Sequence, residues 1–142
     1  RWGTGEIWVE QVEVVDANGQ PAAFIRSGEP FGIKVHIKAN QSVEDLVVGL
    51  RLDTVAGTRV WSTNTALKGL EAIEVTGSAL VTFLSNEMPL LGGQFDLTVA
   101  LADGTLVNRY DQWERCRTID VLPNEISDLH LVRLDGEFNV ES

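Results

Sequence analysis

Gly32-Ile33-Lys34-Val35-His36-Ile37-Lys38-Ala39 decides the fold. Ile33, Val35, Ile37 and Ala39 fall on one parity; Gly32, Lys34, His36 and Lys38 fall on the other. A period of two puts one face in a core and the other in water, the mark of an antiparallel strand. The alternation returns at Leu46, Val48, Leu50 and Leu52, with Val47, Gly49, Arg51 and Asp53 interleaved. It returns again at Phe95, Leu97, Val99 and Leu101, with Gln94, Asp96, Thr98 and Ala100 interleaved. Turn signals close these runs. Asp16-Ala17-Asn18-Gly19, Ser27-Gly28-Glu29-Pro30, Val55-Ala56-Gly57-Thr58 and Asp103-Gly104 are the clearest. Working outward, further strands are predicted over 6–15, 22–26, 59–65, 113–121 and, as one long strand bulged at Gly77, over 73–83. A last small hairpin is predicted with 129–134 and 137–140 flanking Asp135-Gly136. The pattern predicts an all-β chain, an immunoglobulin-like antiparallel β-sandwich, with a jelly roll as the alternative.

The 142 residues suffice for one domain with a core, and a single domain over 1–142 is expected. The chain opens at Arg1 without a Met, so a piece of a longer protein is expected. No apolar run approaches the ~20 residues of a membrane span. A net charge of −10 argues against nucleic acid and anionic membrane as partners, because phosphate binding needs clustered Lys and Arg. Cys116 is the only cysteine, which rules out an intrachain disulfide and favours a reducing compartment.

The chemistry of most enzymes is missing. Gly92-Gly93 lacks the Lys and Ser/Thr of a phosphate loop. His36, His130 and Cys116 show no metal-ligand spacing, so neither a metal site nor a cofactor is expected. Cys116 lies between Arg115 and Arg117, but strand geometry sends both neighbours to the opposite face, which leaves a plain strand residue. The carboxylates are scattered over turns and wet faces, unlike a glycosidase pair.

The four tryptophans, Trp2, Trp8, Trp61 and Trp113, lie on or beside strands. An indole offers a flat apolar face that suits the C–H face of a sugar ring, and Asn, Asp, Gln and Arg suit its hydroxyls. The plain alternative is that each packs into the core. Trp113 shares parity with Ile119 and Val121 but also with Arg115 and Arg117, so that strand must change face along its length.

Arg1-Trp2-Gly3-Thr4-Gly5-Glu6-Ile7 resembles the opening motif of the C-terminal polysaccharide-binding domain of Wzt-type ATPase subunits of O-antigen ABC transporters. The resemblance continues in order through the Asp16–Gly19 turn, Ser27-Gly28-Glu29, Gly57, Ser62-Thr63-Asn64-Thr65, Leu90-Leu91-Gly92-Gly93-Gln94-Phe95 and Leu131-Val132-Arg133-Leu134. Two departures are Phe95 where the family has Tyr, and Gly49-Leu50-Arg51-Leu52-Asp53 in a region of different spacing. The resemblance implies a sandwich domain in the cytoplasm, peripheral to the inner membrane through its transporter. It implies recognition of the non-reducing end of a lipid-linked O-antigen polysaccharide before export. It also implies an upstream ATPase domain, membrane subunits as partners and a homodimer. It transfers no individual ligand contact.

The expected activity is therefore non-catalytic carbohydrate binding. A structural or dimerising sandwich without a small ligand is the alternative, and a glycan hydrolase comes third. The site is expected on the exposed face of strands 46–53, 93–101 and 113–121. There the small residues Gly49, Thr98 and Ala100 leave a groove, and Arg51, Gln94, Asp96, Trp113 and Arg115 or Arg117 surround it. Trp61 and Asn64 mark a second possible location. Arg109, Arg115 and Arg117 crowd within nine residues and could hold an acidic sugar, because Arg offers a paired planar fork of donors. The other reading is that they balance Asp111, Glu114 and Asp120.

Overall fold

The computed structural model describes residues 1–124, 128–134 and 136–140, and contains nine strands and no helix among them. The strands are β1 (Ile7–Val15), β2 (Ile25–Arg26), β3 (Phe31–Ala39), β4 (Val43–Thr54), β5 (Arg59–Asn64), β6 (Ile73–Val75), β7 (Ser78–Ser85), β8 (Gly93–Ala102) and β9 (Arg109–Leu122). One sheet has the order β1-β3-β7; the other has the order β2-β9-β8-β4-β5, with β6 also paired to β4. The two sheets pack as an immunoglobulin-like sandwich.

The alternating positions behave as their chemistry requires. Ile33, Val35 and Ile37 of β3 face Leu50, Leu52, Leu97, Val99 and Ile119 of the larger sheet in one core, all buried. Each fully buried Val, Leu or Ile is worth roughly 1.5–3 kcal/mol of transfer free energy. This shared inner face fixes the register of β3, β4 and β8, since a slip of one residue would expose every one of these side chains.

Three expectations are corrected. Residues 73–83 form two strands rather than one bulged strand. β6 pairs with β4, β7 pairs with β3 in the opposite sheet, and Gly77 at φ +80° lets the chain cross between them. The pairing is not wholly antiparallel, because the two-residue β2 runs parallel to the end of β9. The final hairpin does not form from 129–134 and 137–140. The backbone of 131–133 pairs with the loop before β8 instead, through Leu91 N–H to Leu131 O at 2.8 Å and Arg133 N–H to Pro89 O at 2.9 Å. The hairpin's turn residue Asp135 lies outside the described residues.

A buried carboxylate ties the sheets together at the β1 side. Asp111 of β9 accepts the Val9 N–H of β1 at 2.8 Å and pairs with Arg1 at 2.8 Å. The Arg1 guanidinium also donates to the Val9 carbonyl and lies 4.2 Å from the Trp113 ring centroid.

Candidate functional site

The outer face of the larger sheet carries a trough of about 260 Å³. Its floor is made by missing side chains. Gly49 lies opposite Ala100 across β4 and β8, and Val47 lies opposite Ala102. One row of the ladder crosses four strands of the sheet as Asn64, Gly49, Ala100 and Gln112, one residue from each of β5, β4, β8 and β9. Side chains opposite one another in such a row share a face. With strands ~4.8 Å apart, Asn64 and Gln112 stand ~14 Å apart as the walls of a gap floored by a hydrogen and a methyl. The adjoining row supplies Ser62, Arg51 and Thr98. Leu67 and Leu106, from the loops after β5 and β8, add apolar lips.

The polar groups are held in place. Arg51 Nε donates to Asp53 Oδ2 at 3.1 Å and its Nη2 reaches Thr98 Oγ1 at 3.5 Å, leaving further N–H groups of the fork turned to the trough. Asp53 is buried and also pairs with Arg59 at 3.6 Å. Asn64 Oδ1 accepts the Leu67 N–H at 2.8 Å, which leaves its amide donors. Gln112 Nε2 donates to Glu114 Oε1 at 3.0 Å. Leu106 is set at φ 62° by a loop in which Asp103 accepts from Thr105 and Asn108, each at 2.7 Å. The Thr105 hydroxyl holds the Asp103 carboxyl below its usual range. The trough lining contains Arg51 and Arg109 and, among the described residues, no carboxylate, in a chain of net charge −10.

Of the nine residues predicted as ligand-binding, Arg51, Asn64 and Thr98 line the trough together. Asp96, Arg115 and Gln94 continue down the same sheet outside it. Arg115 approaches Asp96 at 4.0 Å, and Thr118 Oγ1 donates to Asp96 at 3.1 Å. The other three are elsewhere. Trp61 points inward against Phe83, ring centroids 5.4 Å apart. Trp113 packs on the core beneath Arg1. Arg117 lines a separate depression with Gln11, Glu13 and Pro21.

The cause lies in β9, which bulges twice against β8. Leu97 faces Arg117 while Val99 faces Trp113, and Arg115 takes φ 52° between them, its N–H donating to Thr98 Oγ1 at 3.1 Å. A second bulge at Tyr110 brings Arg109 opposite Ala102 on the trough face. The expected change of face does not occur, because Trp113, Ile119 and Val121 all face inward across the first bulge. Gln112 was missed as a wall because it lies one residue before the predicted start of the strand at 113. Cys116 falls inward, as expected of a plain strand residue, with Sγ 3.3 Å from the Leu97 carbonyl. Burial pushes its thiol up to about 11, which removes it as a nucleophile.

Fold and trough define the class, an immunoglobulin-like β-sandwich domain with one recessed outer face. The chain belongs to the Wzt C-terminal domain family, whose profile matches residues 1–133. Among solved structures it is similar to the crystal structure of the C-terminal domain of Wzt, with a TM-score of 0.87, 16% identity, and coverage of 99% of this chain and 87% of that one. Less similar are a calcium-binding mutant of Bacteroides uniformis beta-glucuronidase 2 (TM-score 0.54, 9% identity, 76% of this chain and 14% of that one) and Pseudomonas fluorescens alkylpurine DNA glycosylase AlkC bound to DNA containing an abasic site analog (TM-score 0.54, 12% identity, 83% and 31%). At these identities the structural likenesses speak for the fold alone. A comparison with curated protein sequences found no match.

Proposed function

We propose that the trough on the outer face of the larger sheet binds the terminal sugar of an O-antigen polysaccharide and that the domain does no chemistry on it. The observation that carries this is the row Asn64–Gly49–Ala100–Gln112, two amide side chains facing across a floor of one hydrogen and one methyl. A pyranose ring fits such a gap with its hydroxyls against the Asn64, Gln112 and Arg51 donors, and a lining that holds no carboxylate among the described residues suits an electron-rich ligand. On this reading the domain follows an ATPase module in its subunit. It works as a homodimer beside the membrane subunits, on the cytoplasmic side of the inner membrane.

The test is calorimetry with oligosaccharides released by mild acid from the lipopolysaccharide of the organism that encodes the chain. Saturable binding is expected, and Arg51→Ala should weaken it about tenfold, the loss of charge-assisted hydrogen bonds. Absence of binding at millimolar sugar would leave a structural or dimerising domain. Release of free sugar on long incubation would mark an enzyme.

A further inference from the structure

We propose that the binding surface continues past Gln112 onto Trp2, whose indole is the stacking platform for a further sugar ring of the same glycan. This rests on the reading of the trough given above.

The segment before β1 lies against the outer edge of β9 where β2 does not reach. Trp2 and Gln112 form an antiparallel bridge, with Trp2 N–H to Gln112 O at 3.1 Å and Gln112 N–H to Trp2 O at 2.6 Å. Partners in a bridge share a face, and the trough residue Arg109 lies beside the indole, which sets the ring at the sheet edge between the trough and a depression lined by Arg1, Trp8 and Glu10. Asn64, Gly49, Ala100, Gln112 and Trp2 thus form one continuous row over five segments. Trp2 stands two strand spacings, about 10 Å, beyond Ala100. A sugar seated on the floor does not reach it, whereas a di- or trisaccharide does.

The indole is exposed on a fixed backbone. Thr4 N–H and Gly5 N–H donate to the Arg109 and Tyr110 carbonyls at 3.1 and 3.0 Å, and Arg1 is held by Asp111. Gly3 lets the segment lie this close, because a Cβ there would come within 2.2 Å of the Tyr110 carbonyl oxygen. Trp2 nevertheless remains 53% exposed. A large apolar ring held rigidly in water gives area to a ligand at little cost in ordering. Arg109 joins the two parts. It lines the trough, its guanidinium carbon lies 6.0 Å from the Trp2 ring centroid, and among the described residues it forms no ion pair. Its donors therefore stand at the junction between one sugar and the next.

The test compares Trp2→Ala, Trp2→Phe and Arg51→Ala with the parent. The probes are the terminal monosaccharide and the terminal trisaccharide prepared from that lipopolysaccharide, followed by saturation-transfer NMR and calorimetry, with thermal melts to confirm folding. Trp2→Ala should weaken the trisaccharide about tenfold and leave the monosaccharide unchanged, and Trp2→Phe should restore most of the loss. Arg51→Ala should weaken both. If Trp2→Ala binds the trisaccharide as the parent does while Arg51→Ala is impaired, the extended surface is wrong and the trough stands. Equal loss for both sugars in Trp2→Ala overturns the second platform as well. If Arg51→Ala changes neither affinity, the trough reading fails and takes the platform with it.

Discussion

On the three-stranded sheet the outward positions carry long side chains that meet across strands. His36 Nε2 lies 2.5 Å from Glu13 Oε1, and Lys38 Nζ lies 3.9 Å from Glu10 Oε2. Even the one outward glycine is covered, since a Cβ at Gly32 would meet Leu84 Cδ2 and Val15 Cγ2 at 3.0 Å. On the six-stranded sheet the corresponding glycine is open. A Cβ at Gly49 would find its nearest neighbour, the Ala100 Cβ, at an ordinary 3.7 Å. Both faces are outer surfaces of one sandwich with a common core. A recess on a sheet is therefore made by withholding side chains from adjacent strands in register, and the pairing on the other face shows what fills the space otherwise.

The sharpest way to break this comparison is to exchange the two glycines' fates. Gly49→Val should fill the trough and weaken glycan binding tenfold or more, ~1.4 kcal/mol or above, while the melting temperature stays within ~2 °C, since β-branched residues suit strands. Gly32→Val should do the reverse, costing about 1–3 kcal/mol by overpacking against Leu84 and Val15 in a denaturant titration, with sugar affinity unchanged. Equal stability losses in the two variants would show that the faces do not differ in this way. Glu13→Gln on the paired face should cost under about 1 kcal/mol and leave binding untouched, as for a partly exposed pair. A further effect, confined to alkaline pH, belongs to the shared inner side. The Cys116 thiol is raised to about 11 by burial, so the folded state holds its proton longer than the unfolded chain does. Its contribution to stability is complete below the unfolded value near 9 and is lost as pH rises toward 11. A thiol reagent at pH 8 should label Cys116 only on unfolding, and rapid labelling of the native protein would contradict its burial.

Regular alternation made β3, β4 and β8 legible, and with them Arg51, Thr98, Gly49 and Ala100 as neighbours on one face. Asn64 was legible only as a second location, because the Val55–Thr58 turn implies that β5 pairs with β4 but not the register, shifted at Leu52/Asp53, that sets Asn64 opposite Gly49. β9 was illegible for a specific reason. Two extra residues around Arg115, which takes a positive φ its residue type does not prefer, turn Cys116 inward while Trp113, Ile119 and Val121 keep one common inward face. Gly77 could be read as a departure from regularity, but not as the point where the chain changes sheets. The tryptophans misled in the same way. Trp61 and Trp113 serve the interior, while the exposed indole of Trp2 sits in a segment that becomes part of the sheet only through its bridge to Gln112.

The row from Asn64 to Trp2 draws each of its members from a different stretch of chain, and its central members Gly49, Ala100 and Gln112 sit beside inward residues of the core, Val48 and Leu50, Val99 and Leu101, and Trp113. Two messages are thus written on alternate letters of the same strands, one specifying the scaffold and the other its surface. A lineage can rewrite the second letter by letter, replacing one wall of the trough while the floor and the opposite wall persist, without paying in folding. On the proposed reading, such a domain can follow a changing polysaccharide through single substitutions at Asn64, Ser62, Gln112 or Trp2, each inherited on an unchanged sandwich.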